Sequence, residues 1–459
     1  MLCLVGMRQP PGILRRIRMR AEDYQAILQA RPMAFRYKSS TTTSKAFANE
    51  VTDRLTKVEK RKRRRRATDQ FAFELAVDLI TADLLFGYFG KRSNWVYRSL
   101  DRNNFKGEPV KADTFNAVMG SLLKLGLVEQ HKGGNLSNPF NKQNGKPTYM
   151  PGLASRFRAT PDLLGLAASL GLTQEELRKH YELQMPNSVI KLTKQSVGSG
   201  PNKIRGRTQP FRPTEFTRDM AAEIKAINAY LSRQRYEGGI FSGLRRVFNE
   251  ADVPGFNWDR GGRLYAVGDE SYQMMKKRDR LAMRINGEPV VELDVNASFL
   301  RIFASIVDYS LPKGDDIYTG GNLHRDIIKA WVTATLGHKG FHKRWPVHLA
   351  QDLRDKGHLK DRGPTMKQTE EAACDLLPVM RLWPQSGLSW SELMFKESES
   401  MLFAIRRLIF EEDTPCLPVH DSLIVPASAE RRGLAALEAG FISETVYSPV
   451  FSVSRPPLE

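Results

Sequence analysis

Residues 288–301 read Glu-Pro-Val-Val-Glu-Leu-Asp-Val-Asn-Ala-Ser-Phe-Leu-Arg. The first half predicts a strand, because Val290, Val291 and Leu293 are apolar and the run is too short for a typical helix. That strand ends in a carboxylate, Asp294. The next residues change to a helical spacing, with Phe299, Ile302, Phe303 and Ile306 on one side. A carboxylate at a strand-to-helix junction is fixed through its backbone and open at its tip, which suits a metal ligand. Downstream, Cys-Leu-Pro-Val-His-Asp-Ser-Leu-Ile-Val-Pro at 416–426 places Asp421 between apolar residues and predicts a second strand over 417–425. Two such strands side by side would let Asp294 and Asp421 share two Mg²⁺ ions (Mn²⁺ is an alternative), which phosphoryl-transfer sites hold about 3.5–4 Å apart. Each aspartate alone also fits a turn residue or a helix cap.

These residues carry a resemblance. Asp294-x6-Arg301 resembles motif A of family A DNA polymerases, and Val419-His-Asp-Ser422 resembles motif C of that superfamily. Ser422 stands where those DNA polymerases usually have glutamate, and there resembles the single-subunit, phage-type RNA polymerases. Asp259-Arg-Gly-Gly-Arg-Leu-Tyr265 is similar to the segment before the palm in those RNA polymerases. The resemblance spans roughly residues 244–453, in short motifs.

It implies a right-hand polymerase in which Asp294 and Asp421 bind two Mg²⁺ ions and a primer 3′-oxygen attacks a nucleoside triphosphate. Arg325 and Lys329, four apart and so on one helix face, resemble the Arg-x3-Lys of the fingers helix, which implies contact with the triphosphate. Leu336-Gly337 replaces the aromatic-Gly end of that helix. Phe299, five residues after Asp294, falls at the sugar-selecting position and implies deoxynucleotides. His420, Arg260, Arg263, Tyr265 and Arg301 are implied at the primer or template. From the residues alone, Arg325 and Lys329 also fit a solvated helix face, and Phe299 and His420 a place in the core.

The chain of 459 residues has a net charge of +19. Such a balance favours a polyanionic partner, above all nucleic acid. Residues 57–66 hold eight cations in ten. Three scattered cysteines without metal-finger spacing fit a reducing cytoplasm. The apolar run at 2–7 is too short for a signal core, and no stretch reaches membrane-spanning length. His338, His342 and His348 invite a metal reading, but the cations among them favour a basic loop near nucleic acid.

The expected organisation is α+β. Residues 1–66 form a basic, disordered leader. Residues 67–193 form a winged-helix and helical domain that binds duplex DNA, with helices at 71–89, 94–101 and 111–125, and with Lys132, Lys142, Lys146, Arg156 and Arg158 on its wing. A Gly/Pro-rich linker covers 194–213. The polymerase core takes 214–459, with a thumb-like helix in 214–250, a palm in 255–310 and 411–459, and fingers in 311–410. The expected function is a compact DNA polymerase without proofreading. A single-subunit RNA polymerase or primase, a metal-dependent nuclease and a non-catalytic DNA-binding regulator are the alternatives.

Overall fold

The computed structural model describes residues 26–27, 29–59, 63–90, 93–143, 146–198, 206–268, 271–312, 314, 316–359, 363–445 and 447–456, with side chains left out over 135–152. Outside these lie the run 2–7, residues 60–62 of the basic block, the side chains of Lys142 and Lys146, residues 199–205 of the expected linker, and Asp315. The structure is mixed α and β in two compact units, one comprising most of the chain up to Gln184 and the other Met185–Glu459. No helix among the described residues is long and apolar enough to cross a membrane.

In the smaller unit the order is β1 (Arg31–Pro32), β2 (Tyr37–Ser39), α1 (Thr42–Val58), α2 (Ala67–Tyr88), β3 (Val96–Arg98), α3 (Ala112–Lys124), β4 (Val128–His131), β5 (Gly134–Gln143), β6 (Lys146–Leu153), β7 (Ser155–Ala159), α4 (Pro161–Ser169), α5 (Leu177–His180) and β8 (Tyr181–Leu183). Strands β3 and β4 flank β7 antiparallel, and β1 extends the sheet beside β3.

Within the expected leader, Thr42–Val58 is a helix. Thr41 caps α1, its hydroxyl accepting from the Ser44 N–H at 3.3 Å. Phe47, Val51 and Leu55 form a stripe that is buried in the core. Burying such side chains is worth about 1.5–3 kcal/mol each, so the Ser/Thr run initiates a helix and does not mark disorder. Inside α2, Asp78 and Asp83 are buried and anchor the preceding chain. Asp78 accepts from the Ser39 hydroxyl at 2.5 Å, and Asp83 from the Phe35 N–H at 2.7 Å.

A helix expected at 94–101 is instead strand β3, in keeping with its Val-Tyr content. Two of the expected wing cations are also tied down. Arg156 is buried, its Nε 3.2 Å from the Ile27 carbonyl, and Arg158 pairs with Glu129 at 2.5 Å. Lys132 is exposed.

The larger unit continues with β9 (Ile190–Leu192), α6 (Glu215–Ser232), β10 (Tyr236–Glu237), β11 (Leu244–Phe248), β12 (Gly261–Ala266), α7 (Lys277–Leu281), β13 (Arg284–Ile285), β14 (Glu288–Val295), α8 (Ser298–Ile306), α9 (Arg325–Leu336), α10 (Val347–Asp355), α11 (Met366–Leu376), α12 (Trp390–Arg406), β15 (Leu417–Val419), β16 (Ser422–Pro426), α13 (Glu430–Glu444) and β17 (Phe451–Ser454). Its main sheet runs β10-β13-β14-β16-β15, with β17 also on β14. Strand β14 is central and apolar, with Val290, Val291, Leu293 and Val295 buried.

The division between the units falls after Gln184, ahead of the expected linker. The described part of that linker is tied into a sheet. Strand β9 runs parallel to β11, Thr193 bridges Thr208, and the Gln209 N–H donates to the Leu192 carbonyl at 2.8 Å. These backbone bonds outweigh the flexibility that its Gly and Pro content implies.

Candidate active site

The register of β14 and β16 sets the site. Asp294 faces Ser422 across the antiparallel pair, and the Val295 N–H donates to the Asp421 carbonyl at 3.3 Å. The two aspartates therefore lie side by side at the same end of the adjacent strands β14 and β16. The continuous strand expected over 417–425 is broken there: β15 and β16 form a hairpin, and His420-Asp421 is its two-residue turn. His420 holds a left-handed φ of 56°, and so does Ala297, just before α8. Non-glycine residues rarely take this conformation; His420 immediately precedes Asp421, and Ala297 lies three residues after Asp294.

Asp294 is half-buried and has no hydrogen-bond or ion-pair partner among the described residues. Burial, and next the charge of Asp421, push its carboxyl up to about 6, while the charges of Lys277 and Lys329 act the other way. Glu292 lies on the same face of the strand, two residues earlier. It is neutralised by Arg280 through two contacts of 2.9 Å and by Lys277 at 3.7 Å. Two neighbouring carboxylates, one of them without a partner, are short of positive charge, and their hard oxygen donors fit Mg²⁺.

A third carboxylate escaped the sequence reading. Glu397, on α12, is completely buried. It accepts from Ser298 Oγ at 2.5 Å and from Arg263 Nε at 2.7 Å. The same Ser298 hydroxyl lies 3.4 Å from Asp421 Oδ2. Burial raises the Glu397 carboxyl to about 7, against the pull of Arg263. The sequence did carry a signal. Ser389 and Glu392 form a capping box that starts α12 at Trp390, nine residues before the helix start read at 399–410. With that start, Glu397 shares a stripe with the buried Leu393 and Met401.

Arg263 is fixed by Glu397, and its guanidinium lies 5.3 Å from the ring centroid of Phe299. Phe299 is partly buried, between the site and the core, while Ile302 and Phe303 are fully buried. Ile306, expected on the same apolar side, is exposed. The Tyr265 and His420 rings stand edge to face at 6.1 Å, and the His420 imidazolium is disfavoured by partial burial and by Arg263. Arg260 is held by Glu250 at 3.3 Å and Glu392 at 3.7 Å. A phosphate would have to displace carboxylates from both Arg260 and Arg263. Arg301 is buried, its Nε on the Asn296 carbonyl at 3.0 Å and its Nη2 without a partner among the described residues, so it does not present itself to a primer or template.

On α9, Lys329 is exposed and its charge reaches Asp294. Arg325 is engaged by Asp316 at 2.5 Å and Asp326 at 2.7 Å. His324, Asp326 and His358 also cluster, with potential ligand atoms within 4.8 Å of one another. They satisfy each other without an ion. The imidazole rings stack at 3.9 Å, His358 Nε2 meets Asp326 at 3.1 Å, and His324 Nδ1 accepts the Asp326 N–H at 3.2 Å.

No protein-family model matches the chain, and no curated protein matches it. Among solved structures it is similar to the POL domain of Pol1 from M. smegmatis, in a complex with DNA primer-template and dNTP, at 11% identity and a TM-score of 0.28. The match covers 91% of this chain and 66% of that one, so this chain spans just under two-thirds of that chain's length. At that score the likeness fixes neither fold nor function.

Proposed function

We propose that the larger unit is a template-directed nucleotidyltransferase of right-hand architecture, most simply a DNA polymerase. The observation that carries this is the register that brings Asp294 beside Asp421, with Asp294 pushed up to about 6 by burial and its neighbour. Asp294 and Asp421 would hold the divalent ions. Those ions supply acidification of the attacking hydroxyl and charge balance on the leaving oxygens.

The chain's own residues do the rest in this reading. Ser298 and Glu397 orient Asp421 from beneath. Lys329 faces the same space and meets the triphosphate. Arg325 joins it by exchanging Asp316 for phosphate oxygens, since both are charge-assisted bonds of the same kind. Phe299, backed by Arg263, closes on the sugar.

The RNA polymerase alternative loses one support. Ser422 is buried, and its hydroxyl donates to the Val419 carbonyl at 2.8 Å, so it does not face a substrate. The smaller unit we read as a winged helix on duplex DNA, supported by the β3-β7-β4 sheet with α3 leading into β4.

The test is extension of a primed template with Mg²⁺ and either dNTPs or NTPs, by wild type, Asp294→Asn and Asp421→Asn. The reading requires extension by wild type with dNTPs and a loss of about 10³-fold or more in each variant, the equivalent of roughly 4 kcal/mol of transition-state stabilisation. Activity in either variant within tenfold of wild type rejects it.

A further inference from the structure

A groove of about 1320 Å³ opens in the larger unit, away from the two aspartates. It exceeds the ~300–1,000 Å³ of small-molecule pockets. His338, Lys339, His342, Arg344, Trp345 and Trp390 line it. Lys339 and Arg344 are exposed and have no ion pair among the described residues. The carboxylate in the groove, Glu250, is occupied by Arg260, Ser391 and Gln195. The groove is therefore cationic. Its rings are partly fixed in place. His338 and His342 lie 4.4 Å apart at 36°, and Trp345 Nε1 donates to the Pro364 carbonyl at 3.0 Å. Burial and His338 hold His342 toward its neutral form.

Two helices link this groove to the site. On α12, Trp390 lines the groove and Glu397 lies seven residues on, about 10 Å at 1.5 Å per residue. On α9, Thr333 lines the groove four residues after Lys329, about 6 Å away. A 10 Å offset corresponds to about three stacked nucleotides of one strand, at 3.4 Å each.

We propose that this groove binds single-stranded nucleic acid, namely the template strand ahead of the site. Lys339 and Arg344 take its phosphates, and the Trp390, Trp345 and His338–His342 rings take its bases. Free cations beside accessible ring faces match a single strand, whose unpaired bases can stack on side chains. In a duplex those faces are already stacked. The proposal rests on the nucleotidyltransferase reading for the identity of the strand.

The experiment is fluorescence-anisotropy binding of the full chain to labelled hairpin duplexes with 5′ overhangs of zero to six nucleotides, without metal or triphosphate. Affinity is expected to rise about tenfold or more over the first few overhang nucleotides and then level off. Lys339→Ala/Arg344→Ala should abolish most of that gain and leave blunt-hairpin affinity within about twofold. An overhang of abasic sites should recover only part of it. Three results overturn the proposal: affinity independent of overhang, a variant that keeps the gain, or an abasic overhang bound as tightly as a normal one. That last result assigns the groove to polyanions in general. Failure of the two readings is distinguishable, because a protein that shows the overhang gain but extends no primer keeps the groove and loses the polymerase assignment.

Discussion

Arg263 and Glu397 are locked together behind Ser298, whose hydroxyl also lies 3.4 Å from Asp421, with Arg263 Nε 2.7 Å from Glu397 Oε1 and the carboxylate fully buried. Removing one partner of a buried pair strands the other charge, at about 3–5 kcal/mol. Glu397→Ala is expected to lose about that much in urea unfolding. Glu397→Gln, which keeps both hydrogen-bond acceptor and shape, should lose less. Arg263→Met/Glu397→Leu should recover much of the loss, because no charge is left buried. A Glu397→Ala chain within 1 kcal/mol of wild type would mean the pair bears no such strain.

Asp294 makes stability depend on pH in a stated direction. Its folded pKa, about 6, lies above the roughly 3.9 of an unfolded aspartate. The folded state therefore holds the proton more tightly. This contribution is complete below about pH 4 and is lost as pH rises through about 6. In EDTA, Asp294→Asn should melt higher than wild type at pH 8 and equally at pH 4. Mg²⁺ at pH 8 should raise the wild-type melting temperature and leave that of the variant nearly unmoved. Thermal melts at the two pH values check both statements.

Phe299 has the Arg263 guanidinium 5.3 Å from its ring centroid, and in the proposed reading its ring closes on the sugar of the incoming nucleotide. Phe299→Ala is expected to gain rNTP incorporation and to keep dNTP incorporation. If the ring costs a 2′-hydroxyl about 3 kcal/mol, discrimination falls by roughly 100-fold. Single-nucleotide incorporation measures this ratio. A wild type that already prefers rNTPs moves the RNA polymerase alternative ahead.

Helices α12 and α13 touch through glycine. A Cβ at Gly440 would lie 2.2 Å from the Ser400 carbonyl oxygen, which the backbone of α12 holds in place. At Gly433 the nearest atom, 2.5 Å away, is Leu293 Cδ1, the end of a side chain that can turn. Gly440→Ala should therefore destabilise by about 1–3 kcal/mol and Gly433→Ala by less. Chemical denaturation ranks them, and the reverse order would contradict this packing.

With a net charge of +19, affinity for nucleic acid should fall linearly in log–log form with salt. The loss is about 10³-fold or more between 50 and 200 mM if six or more phosphates are engaged. A flat response would place the charge away from the bound nucleic acid.

Elements with strong periodicity were legible. The 214–232 pattern reads as a helix, and α6 runs Glu215–Ser232 with Met220, Ile224, Ile227 and Leu231 buried. The turn at His420-Asp421 was not legible, because apolar residues on both sides read as one strand and the pair lacks the glycine or asparagine that marks such a turn. Helix α1 was missed for a related reason. Its Ser/Thr start has the composition of a solvated segment, and only contact with the core of the unit reveals the buried stripe of Phe47, Val51 and Leu55.

By itself the sequence determined the strand that ends in Asp294, the apolar segments around Asp421, the helix carrying Arg325 and Lys329, and the cationic balance. These follow from local spacing and composition, which one stretch of chain carries alone. Tertiary structure decided which groups meet. The sheet register brings Asp421, 127 positions downstream, beside Asp294. Packing of α12 sets Glu397 against Ser298 beside Asp421, and tertiary contacts assign Arg260 and Arg263 to carboxylates and bury Arg301. Such partnerships depend on backbone pairing and desolvation between distant segments, and no local pattern encodes either.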